Sequence, residues 1–499
     1  MMSVRVAISA FAHRGARRGE AASFLVYSGV LTLALLLLAA WIAPEARLAD
    51  LESLRMWGQM KPPQVPALDP SLWTTLALGD VFAMWALALA GFVLAPAMVA
   101  AAVANERRAG TLDQLRTTPL SPLALAAGTI VGVPARLYLL CVGPLLLHVV
   151  AAIAGPLPLP TLVSSLAVLA AGTAASCALG LCVALAPRQE SGGTFAALGV
   201  AALLGMFAFM TSLFAIDRHL VAWSYLHPAG ALDAVMLSQE GLWRRMVVGP
   251  WGGQFDSAGY RAALPLVPLA SVAASLLFGA LLLRAACRKL AAPQLPLFSK
   301  RQAVALFAFA AGAVVGPLVV SDLGDFDANG AYGFSALLLP AVVVVGLFAT
   351  PTFEAWALAL RAKKSVGWAS DDAAPHRAVW LMLALWAGLV LALLGDHRTH
   401  GFHSGEPLAL LWTALLAVTL PVYFLFAATR YATVAARWAF GVAVAAHVVA
   451  QLVAVGIVRN GEPRGFAGTY VTLAGIAAVA VPAWTAWRQH VLKVRTLAR

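Results

Sequence analysis

The chain has 499 residues, of which 61% are hydrophobic and 11% charged, with a mean hydropathy of +0.84 and a net charge of +12. Soluble domains carry roughly 25% charged and roughly 45–50% apolar residues, so a water-exposed globular fold is excluded. The long Ala- and Leu-rich runs also exclude the short alternating strands of a membrane barrel, which leaves α-helices of about 20 apolar residues, each satisfying its own backbone in lipid.

In chain order, residues 1–22 are rich in arginine (Arg5, Arg14, Arg17, Arg18) and short of apolar length, the pattern of an amphipathic entry helix on the membrane surface. Apolar runs follow at 24–43, 76–103, 123–154, 161–186, 194–216, 263–286, 303–320, 331–353, 377–395, 406–429, 434–458 and 467–487. The prediction is an all-α polytopic membrane protein with about twelve transmembrane helices. The loop 44–75 is predicted to begin as a short helix and become Pro-rich. The loop 217–262 carries Trp223, Tyr225, Trp243 and Trp251 among prolines and glycines. Such aromatics favour the lipid–water boundary, so short re-entrant helices are expected there. The basic, Pro-containing stretch 284–302 divides the chain into 23–290 and a second six-span domain, 291–499. Cys141, Cys177, Cys182 and Cys287 lie in or beside apolar runs, with no CxxC, and read as small packing residues.

Charge sets the orientation. With twelve spans and both termini cytoplasmic, Lys and Arg favour the inner segments by more than two to one, and acidic residues favour the outer ones. That is the positive-inside bias of a multi-pass protein of the inner (plasma) membrane. It accounts for the basic balance without nucleic acid, leaving the lipid bilayer as the partner.

The segment from Asn105 to Pro122, NERRAGTLDQLRTTPLSP, joins the second and third spans and has internal order. Gly110 breaks the preceding helix. Thr111 is placed to cap a short helix on which Leu112 and Leu115 share a face. Thr117, Thr118 and Pro119 end that helix, and Ser121-Pro122 has the cap-then-proline form of a new start. The expected product is a short helix with an exposed apolar stripe, suited to docking. Replacing Leu112 and Leu115 with Asp is then expected to spare folding and remove the partner.

This pattern, Glu-Arg-x-x-Gly-Thr-Leu-x-x-Leu-x-x-Thr-Pro-Leu-Ser, resembles the type-2 class of ABC exporter permeases. In that family the segment after the second span is the coupling helix, which fits a cleft on the nucleotide-binding subunit. The resemblance implies that Glu106 and Arg107 lead into the helix, that Gly110, Thr111, Leu112 and Leu115 form it near 110–119, and that Pro119, Leu120 and Ser121 end it. It extends more loosely over residues 1–290, including re-entrant helices in the outer loop. It also implies a separate ATPase subunit, expected in two copies, that binds the ATP and magnesium; no cofactor is expected in this chain.

The second half departs from the pattern. With Pro375 set opposite Pro119, Arg361, Lys363 and Lys364 stand opposite Asn105, Arg107 and Arg108, but Val366, Gly367 and Trp368 replace the Gly-Thr-Leu core. This is either a decayed repeat, giving both halves of a pathway in one chain, or an accessory domain on a chain that dimerises.

The sequence has no GxxxxGK[ST] and no Gly-Lys pair, so it lacks the usual ATP-cradling loop and is not expected to be an enzyme. Asp80 and Glu354 sit near span ends, and deep carboxylates are not foreseen, which weighs against an ATP-independent secondary carrier. Arg136 falls inside the third span, about 21 Å from Pro122, and is a packing residue, a latch to another span or a pathway residue. His447 and Gln451, four apart, bond between helices or line the pathway. His397, His400 and His403 fall in a short outer loop with no second ligand set, so no metal site is assigned. A membrane-embedded enzyme, the third alternative, has neither HExxH nor a recognisable Ser/His/Asp spacing in its favour. The expected function is export of an amphipathic or hydrophobic cargo by a permease subunit with a separate ATPase.

Overall fold

The computed structural model describes residues 18–57, 70–154, 159–186, 198–202, 204–205, 208, 221–237, 266–293, 295–320, 381–382, 385 and 496. Every element among them is helical, and no strand occurs among them. Among the described residues, five helical stretches are long and apolar enough to cross a membrane: Glu20–Ala43, Thr75–Arg108, Ala135–Ala154, Leu159–Leu185 and Leu266–Ala291. Two compact units divide the chain. The first is Met1–Ala291 with Val319–Asp325, and the second is Ala292–Leu318 with Phe326–Arg499.

The first unit opens with α1 (Arg18–Trp57), which runs unbroken through the first span and on through 44–57, where a separate short helix was expected. After α2 (Pro70–Leu89) comes a π-helical turn, Ala90–Leu94, and then α3 (Ala95–Arg108). Pro96 has no N–H for the carbonyl of Phe92. The widened turn absorbs that missing bond, with the Ala95 N–H reaching back to Ala90 O.

The run expected as one span, 123–154, is three helices: α5 (Pro122–Gly132), α6 (Ala135–Leu140) and α7 (Val142–Ala154), with α4 (Thr111–Thr117) before them. Pro134 is the cause of the first break. It cannot donate to Ile130 O, and the Tyr138 hydroxyl reaches that carbonyl instead, at 3.4 Å. Gly143 N–H donates to Ser28 Oγ at 2.6 Å, tying the α7 start to α1.

Helix α8 (Leu159–Leu185) is the central element, packed against α3, α5, α7 and, in the same unit, α9 (Pro228–Leu237) and α10 (Leu266–Ala291). A Cβ at Gly180 would collide with the Pro96 backbone, and one at Gly172 would collide with Pro228 and Phe92. These two glycines let α3 and the start of α9 approach α8 closely. Gly172 lies about 20 Å along α8 from Leu159. The 3₁₀ turn Val221–Leu226 and α9 therefore insert at the middle of the bundle, where Ala231, Leu232 and Ala234 join Val81, Met84, Leu87, Phe92, Val168 and Val267 in one buried cluster. His227 stacks edge-on against Phe92 there, with centroids 5.7 Å apart.

In the second unit, α11 (Lys300–Val320) begins with a capping box. Gln302 N–H donates to Ser299 Oγ at 3.2 Å and Ser299 N–H to Gln302 Oε1 at 2.9 Å, so two otherwise orphaned donors are satisfied reciprocally.

Candidate functional site

Two sites stand at opposite ends of the first unit. The first is the connection after α3. Gly110 adopts φ +73°, a left-handed conformation that strains any residue with a side chain, and it turns the chain from α3 into α4. Gly110, not Thr111, occupies the N-cap, because the left-handed turn ends one residue earlier than the Thr cap would require. Thr111 is the first residue inside the helix, and its hydroxyl turns back to the Glu106 carboxylate and, at 3.1 Å, to the Glu106 carbonyl.

That turn folds α4 beneath the bundle and inverts the expected exposure. Leu112 is buried at 4% exposure and Leu115 half-buried. Together with Val103, Leu125, Leu181 and Leu290 they line a cavity of about 220 Å³ that Glu106 and Thr129 also border. The apolar stripe thus covers the apolar ends of α3, α5, α8 and α10. The exposed face is polar instead: Asp113, Gln114 and Thr117. Asp113 pairs with Arg116 one turn on.

The exit matches the sequence closely. Thr118 is extended, and its N–H and hydroxyl both go to Leu115 O, at 3.3 and 2.5 Å. Pro119 is exposed in the connection. Ser121 Oγ accepts from Ala124 N–H at 3.1 Å, with Pro122 as the first helical residue. Arg107 donates from Nη1 to Ala184 O at 2.8 Å. A cation on the last carbonyls of α8 is favoured by the helix dipole, and it ties the entry of α4 to the central helix.

Arg136 lies outside this patch. It stands at the start of the Ala135–Ala154 span, since Pro134 ends the preceding helix. Its Nη2 meets Glu20 Oε2 at 2.5 Å, and its guanidinium lies 5.8 Å from the Phe24 ring centre. The residue latches α6 to α1 on a half-exposed flank of the bundle. His447, Gln451, Glu354 and His397–His403 lie outside the described residues. Cys141, Cys177, Cys182 and Cys287 are free thiols, and Cys182 donates to Leu282 O at 3.2 Å, joining α8 to α10.

The second site was not foreseen. Asp80, on α2, stands five residues from the span end at Thr75, near that end as expected, and is 2% exposed. Asp80 Oδ1 lies 2.6 Å from His148 Nδ1, and His148 Nε2 lies 2.8 Å from Ser165 Oγ. Ser165 Oγ also donates to Leu162 O at 2.9 Å. All three side chains are buried, and each comes from a different helix, α2, α7 and α8. Each sits five or six residues from a span end (Thr75, Ala154 and Leu159), so three helices bring them to one level about 9 Å along.

A carboxylate, an imidazole and a hydroxyl in this order can activate a nucleophile. Acyl transfer also requires a substrate carbonyl at the hydroxyl, and Ser165 has 0% exposure. In this arrangement the constellation can bind and share protons. Asp80, His148 and Ser165 are spread over 86 residues of chain, so no local spacing signals them; the weak signal was two ionisable groups within apolar runs. Comparisons of the chain with family models, with curated proteins and with solved structures find no match.

Proposed function

We propose that the chain is the membrane-spanning permease subunit of an ATP-binding-cassette exporter whose ATPase is a separate polypeptide. One observation carries this reading: a seven-residue helix, Thr111–Thr117, hangs between two apolar helices, with its greasy face seated on the span ends and its polar face exposed. A lever of this kind moves the spans when its outer face is pushed. The Arg107 bond to the end of α8 offers a route for the push, and the cavity behind Leu112 and Leu115 offers room for the movement.

In this reading the surface that meets the ATPase is Asp113, Gln114 and Thr117, and Leu112 and Leu115 are the anchor. The remaining spans complete a twelve-span topology with both termini cytoplasmic, and two ATPase copies serve either one chain or a homodimer. The element Val221–Leu237 is a re-entrant hairpin entering from the outer side. The cargo is amphipathic or hydrophobic.

The test uses the full-length tagged chain, extracted in mild detergent from its native membranes. ATP hydrolysis is expected to co-purify with the wild type and to be lost from the Gln114→Lys, Thr117→Arg double variant, with unchanged yield and melting behaviour of the chain. Undiminished ATPase in that variant would refute the docking role.

A second reading has one observation in its favour. The buried Asp80–His148 pair is the kind of intramembrane ionisable group that secondary carriers use. Transport that persists without an ATPase and collapses with the proton gradient would select it.

A further inference from the structure

The space behind α4 has a definite size and a definite polarity. It holds about 220 Å³, lies wholly within the first unit and is partly open to the surface. Most of its wall is hydrocarbon, with Leu112 and Leu115 of α4 facing Leu125 of α5 and Leu181 of α8. An apolar cavity of about 150 Å³ stays dry and takes up benzene. By proportion, about 220 Å³ accommodates a molecule of about nine non-hydrogen atoms. Water alone is a poor occupant, because each molecule needs several polar partners and most of this wall offers none.

Two polar side chains border the space, and both offer oxygens to a donor. Thr129 is buried, and its hydroxyl donates at 2.8 Å to Leu125 O on its own helix, which leaves lone pairs. Glu106 is half-buried. Its carboxylate accepts from the Thr111 hydroxyl and has lone pairs for further donors. Glu106 is also the only charged side chain among the described residues that line the cavity. An occupant therefore meets hydrocarbon on most sides and a carboxylate at the edge. An anionic ligand is repelled there and a pure hydrocarbon gains nothing from Glu106. An ammonium group pairs with it through a charge-assisted hydrogen bond.

We propose that this cavity binds a small amphipathic cation, a primary amine of about nine non-hydrogen atoms, with its hydrocarbon among Leu112, Leu125 and Leu181 and its ammonium on Glu106. The bound amine bridges α3, which carries Glu106, to the greasy face of α4, and so holds the short helix against the span ends. The site requires neither an ATPase nor transport, and it stands apart from the exporter reading. On that reading the occupant also fills the room that the lever needs.

The test uses 2-phenylethylamine, which matches the size, on the full chain in lipid nanodiscs. The tritiated amine should bind saturably at a single site per chain, above its partition into empty nanodiscs. Phenylacetate, with the same ring and the opposite charge, should not displace it. Glu106→Gln keeps an oxygen for the Thr111 hydroxyl and removes the charge. It should weaken binding roughly tenfold or more, the weight of one hydrogen bond to a charged group. Binding no greater than in empty nanodiscs, displacement by phenylacetate, or unchanged affinity in Glu106→Gln would overturn the proposal. A second measurement needs no variant. A diazirine analogue of the amine, photoactivated on the wild type, should label the stretch 102–133, and 2-phenylethylamine should compete it away. Label confined to other segments would equally overturn it.

Discussion

At the scale of single residues, the close approaches of the bundle are set by what a side chain would collide with. Gly180 faces the Pro96 backbone across the α3–α8 contact. A methyl there cannot be accommodated by moving a flexible side chain, so the helices must part. Gly180→Ala is expected to destabilise the bundle by about 1–3 kcal/mol, the usual range for overpacking, seen as a lower melting temperature in detergent. Gly29, by contrast, has open space at its Cβ, so Gly29→Ala should leave the melting temperature unchanged or slightly raised. Equal effects of the two substitutions would contradict the packing described for α8.

At the scale of elements, the short helix α4 separates two functions that its sequence appeared to merge. Leu112 is buried and lines the cavity behind the helix, while Gln114 is exposed. Leu112→Asp puts a carboxylate among Val103, Leu125 and Leu181 and forfeits burial worth about 1.5–3 kcal/mol. It should unseat α4, and limited proteolysis should then cut within 109–119. The Gln114 substitution should leave the same segment protected. The expectation that Leu112 and Leu115 could be changed with folding intact is thereby replaced. Ser121→Ala removes a cap bond at 3.1 Å and should lower stability by about 1 kcal/mol, measurable as a shift in the denaturant midpoint.

At the scale of the whole molecule, the charge bias and the proposed lever make the same demand on topology. Both place α4 on the side that holds the N-terminus. A cysteine introduced at exposed Thr117 should react with a membrane-impermeant maleimide in inside-out vesicles and resist it in intact cells. Labelling from the cell exterior would remove the exporter reading together with the twelve-span orientation. The buried polar cluster stands apart from that demand. Asp80, His148 and Ser165 lie at the other end of the bundle, near Thr75, Ala154 and Leu159.

The helical, membrane-embedded class was legible in the sequence, because a lipid solvent demands long apolar runs and composition alone reports them. The break before the short helix and its stop were also legible, since Gly110, Thr118 and Ser121-Pro122 act within a few residues of themselves, although the N-cap falls on Gly110 and not on Thr111. Two things were decided only by the tertiary structure. Which face of α4 points outward depends on the left-handed turn and on the span ends waiting to be covered, and neither is a local property. The buried Asp80–His148–Ser165 cluster depends on three helices placing one polar residue each at a common level. Nothing in the spacing of Asp80, His148 and Ser165 records that meeting, because the chain fixes neighbours along a helix and only packing fixes neighbours across helices.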